Sequence, residues 1–266
     1  MKNKPPTLNT LPAAWRTWPI TKRFANEACR FLNLYHNEQN EDPATNGELW
    51  LMRQFLPQAQ VVFDIGANVG DWSLLAAQHL TAPGAKIYAW EPLPATAEKL
   101  RARLPPNAEI ICAAASDHDG TADIWLSPCN STLHSLHKRD TLQAAYGIAA
   151  PREKITITTR TLDSFCTERA ITHIDFLKID VEGHEVPALR GFRRGLREGR
   201  ARLIQLEYGG AWIDSRTFLR DLYYEFENTP YTLHKLHPDA LLPQPLYDVR
   251  EENFLLKHFV ALRTDG

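Results

Sequence analysis

Residues 61–70 read VVFDIGANVG and are followed at 72–80 by WSLLAAQHL. An apolar run, an aspartate and two glycines separated by three residues, then an amphipathic stretch, predict a buried strand turning sharply into a helix. In open parallel sheets such a turn is where nucleotide-containing ligands bind. Further strand candidates recur at 86–90 (KIYAW), 109–113 (EIICA), 174–180 (IDFLKID), 202–207 (RLIQLE), 231–236 (YTLHKL) and 254–262 (FLLKHFVAL), with helical stretches between them. This alternation predicts an α/β fold built on a doubly wound, mostly parallel, seven-stranded sheet.

The 266 residues, 44% hydrophobic and 10% aromatic, supply one substantial core. Thirty basic against thirty-two acidic residues leave a formal charge of −2, so no broad cationic field draws nucleic acid or an anionic membrane. The basic run RGFRRGLREGRAR at 190–202 reads as a solvated helix face and its loop. Cys29, Cys112, Cys129 and Cys166 are scattered without a CxxC pair, which fits a reducing compartment and argues against a zinc knuckle or disulfide framework. Prolines interrupt MKNKPPTLNTLPAAW, and no window reaches the length of a membrane span. The expectation is a soluble, cytoplasmic protein.

Residues 1–46 read as a helical or irregular N-terminal extension ahead of a Rossmann-like domain over 47–266. NEQNEDPATNGE at 37–48 looks like a loop ending at a helix start, and GELWLMRQFL at 47–56 like that helix. The stretches TADIWLS (121–127) and KITITTRTLDSF (154–165) flank a polar, irregular segment, 128–153, expected to face the substrate. Trp125, His134, His137 and Tyr146 are its candidates for stacking on, or hydrogen bonding to, a sugar.

A dinucleotide fingerprint laid from Gly66 would need glycines where Asn68 and Asp71 stand. The middle glycine lets the backbone approach a pyrophosphate, and an aspartate at the helix start repels that anion. NAD and FAD are therefore poor fits. A ligand without phosphates, carrying an amino-acid end, tolerates a carboxylate at Asp64 and still uses backbone N–H groups around Gly66 to Val69; S-adenosylmethionine has those features. Glu91, at the tip of the second strand, is placed to accept hydrogen bonds from both ribose hydroxyls. Small residues in AAASDHDG (113–120) leave room for a flat ring, with Ser116 or Asp117 at the adenine edge or, alternatively, Asp117 as a plain turn residue.

Alternation along IDFLKIDVEGHE puts Phe176, Lys178 and Asp180 on one side of the strand and Leu177, Ile179 and Val181 on the other. A covered lysine needs a partner. Asp180, Glu182, His184 and Glu185 then crowd the carboxyl end of that strand, which faces the ligand crevice in an open sheet.

In order, FDIGANVGDWS, AWEP, AAASDHDGTA, TRTLDSF, IDFLKIDVEGHEVPALRG and LIQLEY resemble the FkbM family of S-adenosylmethionine-dependent methyltransferases over roughly residues 47–210. The resemblance implies a class I Rossmann-like methyltransferase fold and methyl transfer to a hydroxyl on a sugar, glycan or secondary metabolite. Carried over by position, Asp64, Gly66, Asn68 and Gly70 surround the methionine moiety, Glu91 the ribose, and Ser116 with Asp117 the adenine. Residues 1–45 and 211–266 fall outside the diagnostic stretch and are expected to choose the acceptor. In-line methyl transfer needs the acceptor oxygen aligned and its proton removed. Asp180 is the candidate for positioning the hydroxyl, and His184 or Glu182 for the base. Alternatively magnesium held by Asp180, Glu182 and Glu207 acidifies the hydroxyl. Competing readings are a catalytically silent S-adenosylmethionine-binding partner and an RNA methyltransferase, the latter without an evident basic, aromatic face.

Overall fold

The computed structural model describes residues 18–128, 131–142 and 147–264; Cys129 and Tyr146 lie outside them. In chain order the strands are β1 (Val61–Ile65), β2 (Lys86–Trp90), β3 (Ala108–Ile111), β4 (Ala114–Ala115), β5 (Gly120–Leu126), β6 (Glu153–Arg160), β7 (Phe176–Ile179), β8 (Leu203–Tyr208), β9 (Tyr231–His237), β10 (Ala240–Pro243) and β11 (Lys257–Arg263). The main sheet runs β10-β9-β11-β8-β7-β1-β2-β3, and β4, β6 and β5 form a separate small sheet. From β3 to β8 the pairing is parallel, whereas β11, β9 and β10 join antiparallel. The seven expected strands are all present. The eighth, β10, returns from β9 over a short turn and lengthens the edge.

Strand parity divides the core into two layers. Phe63, Ile65, Tyr88 and Trp90 pack on one side with Phe165, Val186, Leu189 and Leu222 from the helices that cover it. Val62, Ile87, Phe176, Leu203 and Val260 face the other way, against Leu51 and Met52 of helix Glu48–Phe55 and Ala76 of helix Asp71–His79. Because both faces are covered, the central strands are apolar throughout and polar residues stand out. Asp64, Lys178 and Gln205 occupy directly paired positions on β1, β7 and β8, so they form one row across the second face. Glu207 pairs with His258 one step nearer the carboxyl edge.

Helix Pro19–His36 buries none of its side chains. The segment after it is fastened to the C-terminal strands: Asn37 Nδ2 donates to the carbonyls of Asn46 and Leu236, and Gln39 N to that of Leu256. Gly47 closes it at φ +103°, with the site of a Cβ only 2.2 Å from the His237 carbonyl oxygen, so a larger residue would pry the segment off β9. Residues 37–48 thereby become a wall of the crevice. The segment expected as a substrate-facing loop also contributes anchors, since Ser135, Arg139 and Leu142 are buried.

Candidate functional site

Two cavities open where β1 and β7 lie side by side and the path of the chain reverses, the position at which open α/β sheets bind ligands. The wider holds about 590 Å³ and the narrower about 70 Å³, and both are lined by Gly66, Asn68, Asp180 and Glu182. They therefore meet above the β1 turn.

The turn itself depends on close backbone approach. Gly66 sits at φ +89°, and a Cβ there would stand 1.9 Å from the Asp180 carbonyl oxygen, so glycine alone lets the tips of β1 and β7 come together. Asn68 follows in the left-handed region at φ +47°, and its buried Oδ1 has no hydrogen-bond partner among the described residues. Asp64 is fully buried beneath the turn: its Oδ2 accepts from Ser73 Oγ at 2.6 Å, and its Oδ1 lies 3.5 Å from Lys178 Nζ. Gly70, at φ +90°, caps helix Asp71–His79. Asp64 and Gly70 thus shape the turn from behind, while Gly66 and Asn68 face the cavities.

Glu91 lines the narrow cavity and is 6% exposed. Burial pushes its carboxyl up to about 7, against the pull of the Leu93 and Asn68 backbone N–H groups. Trp90 and the small residues Ala113–Ala115 form the adjoining wall. Ser116 and Asp117, expected at an adenine edge, stand off both walls. Ser116 Oγ lies 3.0 Å from His184 Nε2 and donates to Asp117 Oδ1 at 3.2 Å, and Asp117 pairs with the exposed His118.

Beyond β7 the acidic cluster divides. Lys178 Nζ donates to Asp180 Oδ2 at 3.0 Å; burial opposes its charge, but Asp180 and Asp64 outweigh that and hold the ammonium protonated. The expected partner for this covered lysine is therefore present twice over. Glu182 occupies φ +54°, unusual for a side chain of its size, and is gripped by buried Arg139, which also reaches Asp214 at 3.3 Å. Burial pushes Glu182 up to about 7, with Arg139 pulling the other way. Glu185 Oε1 accepts from the Val181 and Gly183 N–H groups, and burial pushes this carboxyl up to about 8. His184 lines neither cavity. It is wedged between Ser116 and His137, whose Nε2 is 3.1 Å from its Nδ1, and burial, then His137, drives its pKa down to about 3.

The suggested magnesium set is not assembled: among the described residues no group of three or more His, Cys, Asp or Glu is placed to hold a metal ion. Asp180 is committed to Lys178 and Glu182 to Arg139. Of the loop candidates, His134 Nδ1 accepts from Ser127 N and lines the narrow cavity, His137 contacts His184, and Trp125 packs under Lys154. Residues unforeseen in the sequence complete the wide cavity: Glu48, Trp72, Arg139, Trp212 and His258. Only the even spacing of Glu207 from Leu203, which puts both on one face of the strand, and of similar polar residues within apolar strands, carried a trace of this.

A glycine turn between parallel strand and helix, with an acidic tip on the neighbouring strand, defines a Rossmann-like protein. Residues 64–234 match the family model for the methyltransferase FkbM domain, and the chain belongs to that family. It is 30% identical over 159 residues to the 31-O-demethyl-FK506 methyltransferase FkbM of Streptomyces tacrolimicus, covering 51% of this chain and 60% of that protein. It is 25% identical over 169 residues to the hexuronic acid methyltransferase AglP of Haloferax volcanii, covering 61% and 64%. With the 2-O-methyltransferase NoeI of Sinorhizobium fredii it shares 27% identity over 156 residues, covering 56% and 63%. The matched stretch thus spans less than two thirds of each relative. Among the described residues no helix is long and apolar enough to cross a membrane.

Proposed function

We propose that this chain transfers a methyl group from S-adenosylmethionine to a hydroxyl of a sugar, glycan or similarly hydroxylated small molecule. The observation that carries the reading is the junction of the two cavities over Gly66, Asn68, Asp180 and Glu182, which puts a narrow slot lined by Glu91 and Ala113–Ala115 end to end with a wide chamber. The residues present fit the cofactor. Glu91 would meet the ribose hydroxyls, Ala113–Ala115 leave room for the ring, and the orphaned Asn68 Oδ1 with the backbone around Gly66 would meet the amino-acid end. When bound, S-adenosylmethionine supplies an electrophilic methyl on a sulfonium; the S–C bond breaks as the C–O bond forms, leaving S-adenosylhomocysteine and a methyl ether. The names of the three relatives, all methyltransferases and two of them named for O-methylation, support the same chemistry.

Asp180 stands at the junction, held by Lys178, and we assign it the task of orienting the acceptor hydroxyl. The proton goes to Glu182, whose carboxyl titrates near neutrality and faces both cavities, rather than to His184, which faces neither. Residues 37–48 and the start of β11 form the far wall, so acceptor choice rests with them.

Titration calorimetry tests the cofactor assignment: S-adenosylhomocysteine binds and NAD does not. NAD binding without a response to S-adenosylhomocysteine would end the reading. Labelled methyl transfer into a cell-extract metabolite pool then separates an enzyme from a silent binder, and ribonuclease treatment of the product excludes or reveals RNA.

A further inference from the structure

Resting on the reading above, the charges of the wide cavity say more about its acceptor. Among the described residues its two permanent cations are spent locally: Lys178 is paired with Asp180 and Asp64, and Arg139 with Glu182 and Asp214. Asp71 is matched by Arg103 at 2.7 Å. Four further carboxyls on the wall, Glu41, Glu48, Glu185 and Glu207, have no ion-pair partner among the described residues. Glu48 accepts hydrogen bonds from Asn46 and Gln205, whereas the Glu207 side chain makes none among the described residues. Two side chains of this wall that are more than nine-tenths buried keep a polar atom unpartnered among the described residues: His258 Nδ1 and Glu185 Oε2.

A wall so short of positive charge is poorly built for an anionic acceptor and well built for a cationic one. Glu41, Glu48 and Glu207 line only the wide cavity, beyond the junction with the narrow one, so they stand on the acceptor side. We infer that the acceptor is a hydroxylated molecule bearing a protonated amine, of the amino-sugar or aminocyclitol type, with the ammonium held between Glu207, Glu48 and Glu41 while a hydroxyl is presented to Asp180. The state of Glu207 agrees. Burial, then the like charges of Asp180 and Glu182, push its carboxyl well above the usual range, so an arriving ammonium restores its ionisation and expels a proton.

The test uses the full chain saturated with S-adenosylhomocysteine and three probes: the methyl glycosides of glucosamine, glucose and glucuronic acid. Calorimetry at pH 7.5 in two buffers of different ionisation enthalpy reads both affinity and proton release. The amine is expected to bind about tenfold or more tightly than the neutral sugar, with the uronate weakest, and to release protons that the neutral sugar does not. Glu207→Gln should remove most of the amine preference, and Glu41→Gln, at an exposed position, should reduce it without disturbing the fold. Equal affinities, tighter uronate binding, or no detectable binding of any probe overturns the inference. Proton release on S-adenosylhomocysteine binding alone also overturns it, because the carboxylates would then serve the amino-acid end of the cofactor. Failure of S-adenosylhomocysteine to bind instead sinks the methyltransferase reading itself.

Discussion

Among the described residues two groups of buried charges differ in balance. Under the N-terminal segment Glu38 and Glu251 face Lys235 and Lys257, two of each sign, with Lys257 Nζ 2.7 Å from Glu38 Oε1 and 2.7 Å from Glu251 Oε2. Burial pushes both carboxyls up, but hydrogen bonds from Lys257 and their other partners win, holding them below the ordinary range. At the carboxyl edge of β7 and β8 the outcome is reversed: burial wins, and Glu182, Glu185 and Glu207 are all raised. The first group is complete in itself and clips residues 37–48 to β9 and β11. The second has more carboxyls than cations: Lys178 and Arg139 stand against Asp64, Asp180, Glu182 and Asp214, with Glu185 and Glu207 left over. Charge balance, more than burial, distinguishes a fastening from a site.

Breaking the balanced group should have the largest effect. Glu38→Ala leaves Lys235 and Lys257 under-compensated in the interior and should destabilise the fold by about 3–5 kcal/mol, read from denaturant unfolding. A loss below about 1 kcal/mol would show that the clip is solvated and is not the balanced buried cluster that sets it apart from the β7–β8 edge. On the unbalanced side, Asp180→Asn keeps size but removes charge, and turnover on a verified acceptor should fall by roughly a hundredfold while S-adenosylhomocysteine affinity stays nearly constant. Full turnover would misassign Asp180; loss of folding in a melting curve would make its bond to Lys178 purely structural. Glu91→Ala should weaken S-adenosylhomocysteine binding by about 1.5–3 kcal/mol, since a buried charged acceptor would no longer meet the ribose. An unchanged dissociation constant removes Glu91 from the site.

The smallest effect is a slope, at most about 1.4 kcal/mol per pH unit for one proton. Glu185 is raised from 4.5 in a free chain to about 8 in the fold, so its stabilisation is full below about pH 4.5 and is lost as pH rises through 8. Glu38 and Glu251, being lowered, act oppositely: their contribution is present above 4.5 and is lost as pH falls through their folded values. The ligand-free protein should therefore lose stability between pH 4.5 and 8 from the site while the clip holds. Glu185→Gln should flatten that decline in melting temperature against pH. An unaltered profile would show that Glu185 is ionised and solvated at neutral pH.

What was legible in the sequence was whatever lies within one stretch of chain. The VVFDIGANVG turn, the acidic tip at Glu91 and the polar run after Lys178 each place their residues by local periodicity, because strand parity and a glycine turn act over a few positions. Even there, local reading failed at contacts through space. Ser116 and His184 face one another because Gly191, at the end of helix Glu185–Arg190, lies against the Ser116 carbonyl, and neither side chain reaches the cavities. The wide chamber was decided only by tertiary structure. Glu48, Arg139, Asp180, Glu207 and His258 come from five separate stretches, and the register of β7, β8 and β11 together with the clipped N-terminal segment brings them to one wall. Sequence spacing encodes which face a residue takes along its own strand; which strand lies beside it, and so which charges it must share a cavity with, is set by the packing of the whole sheet.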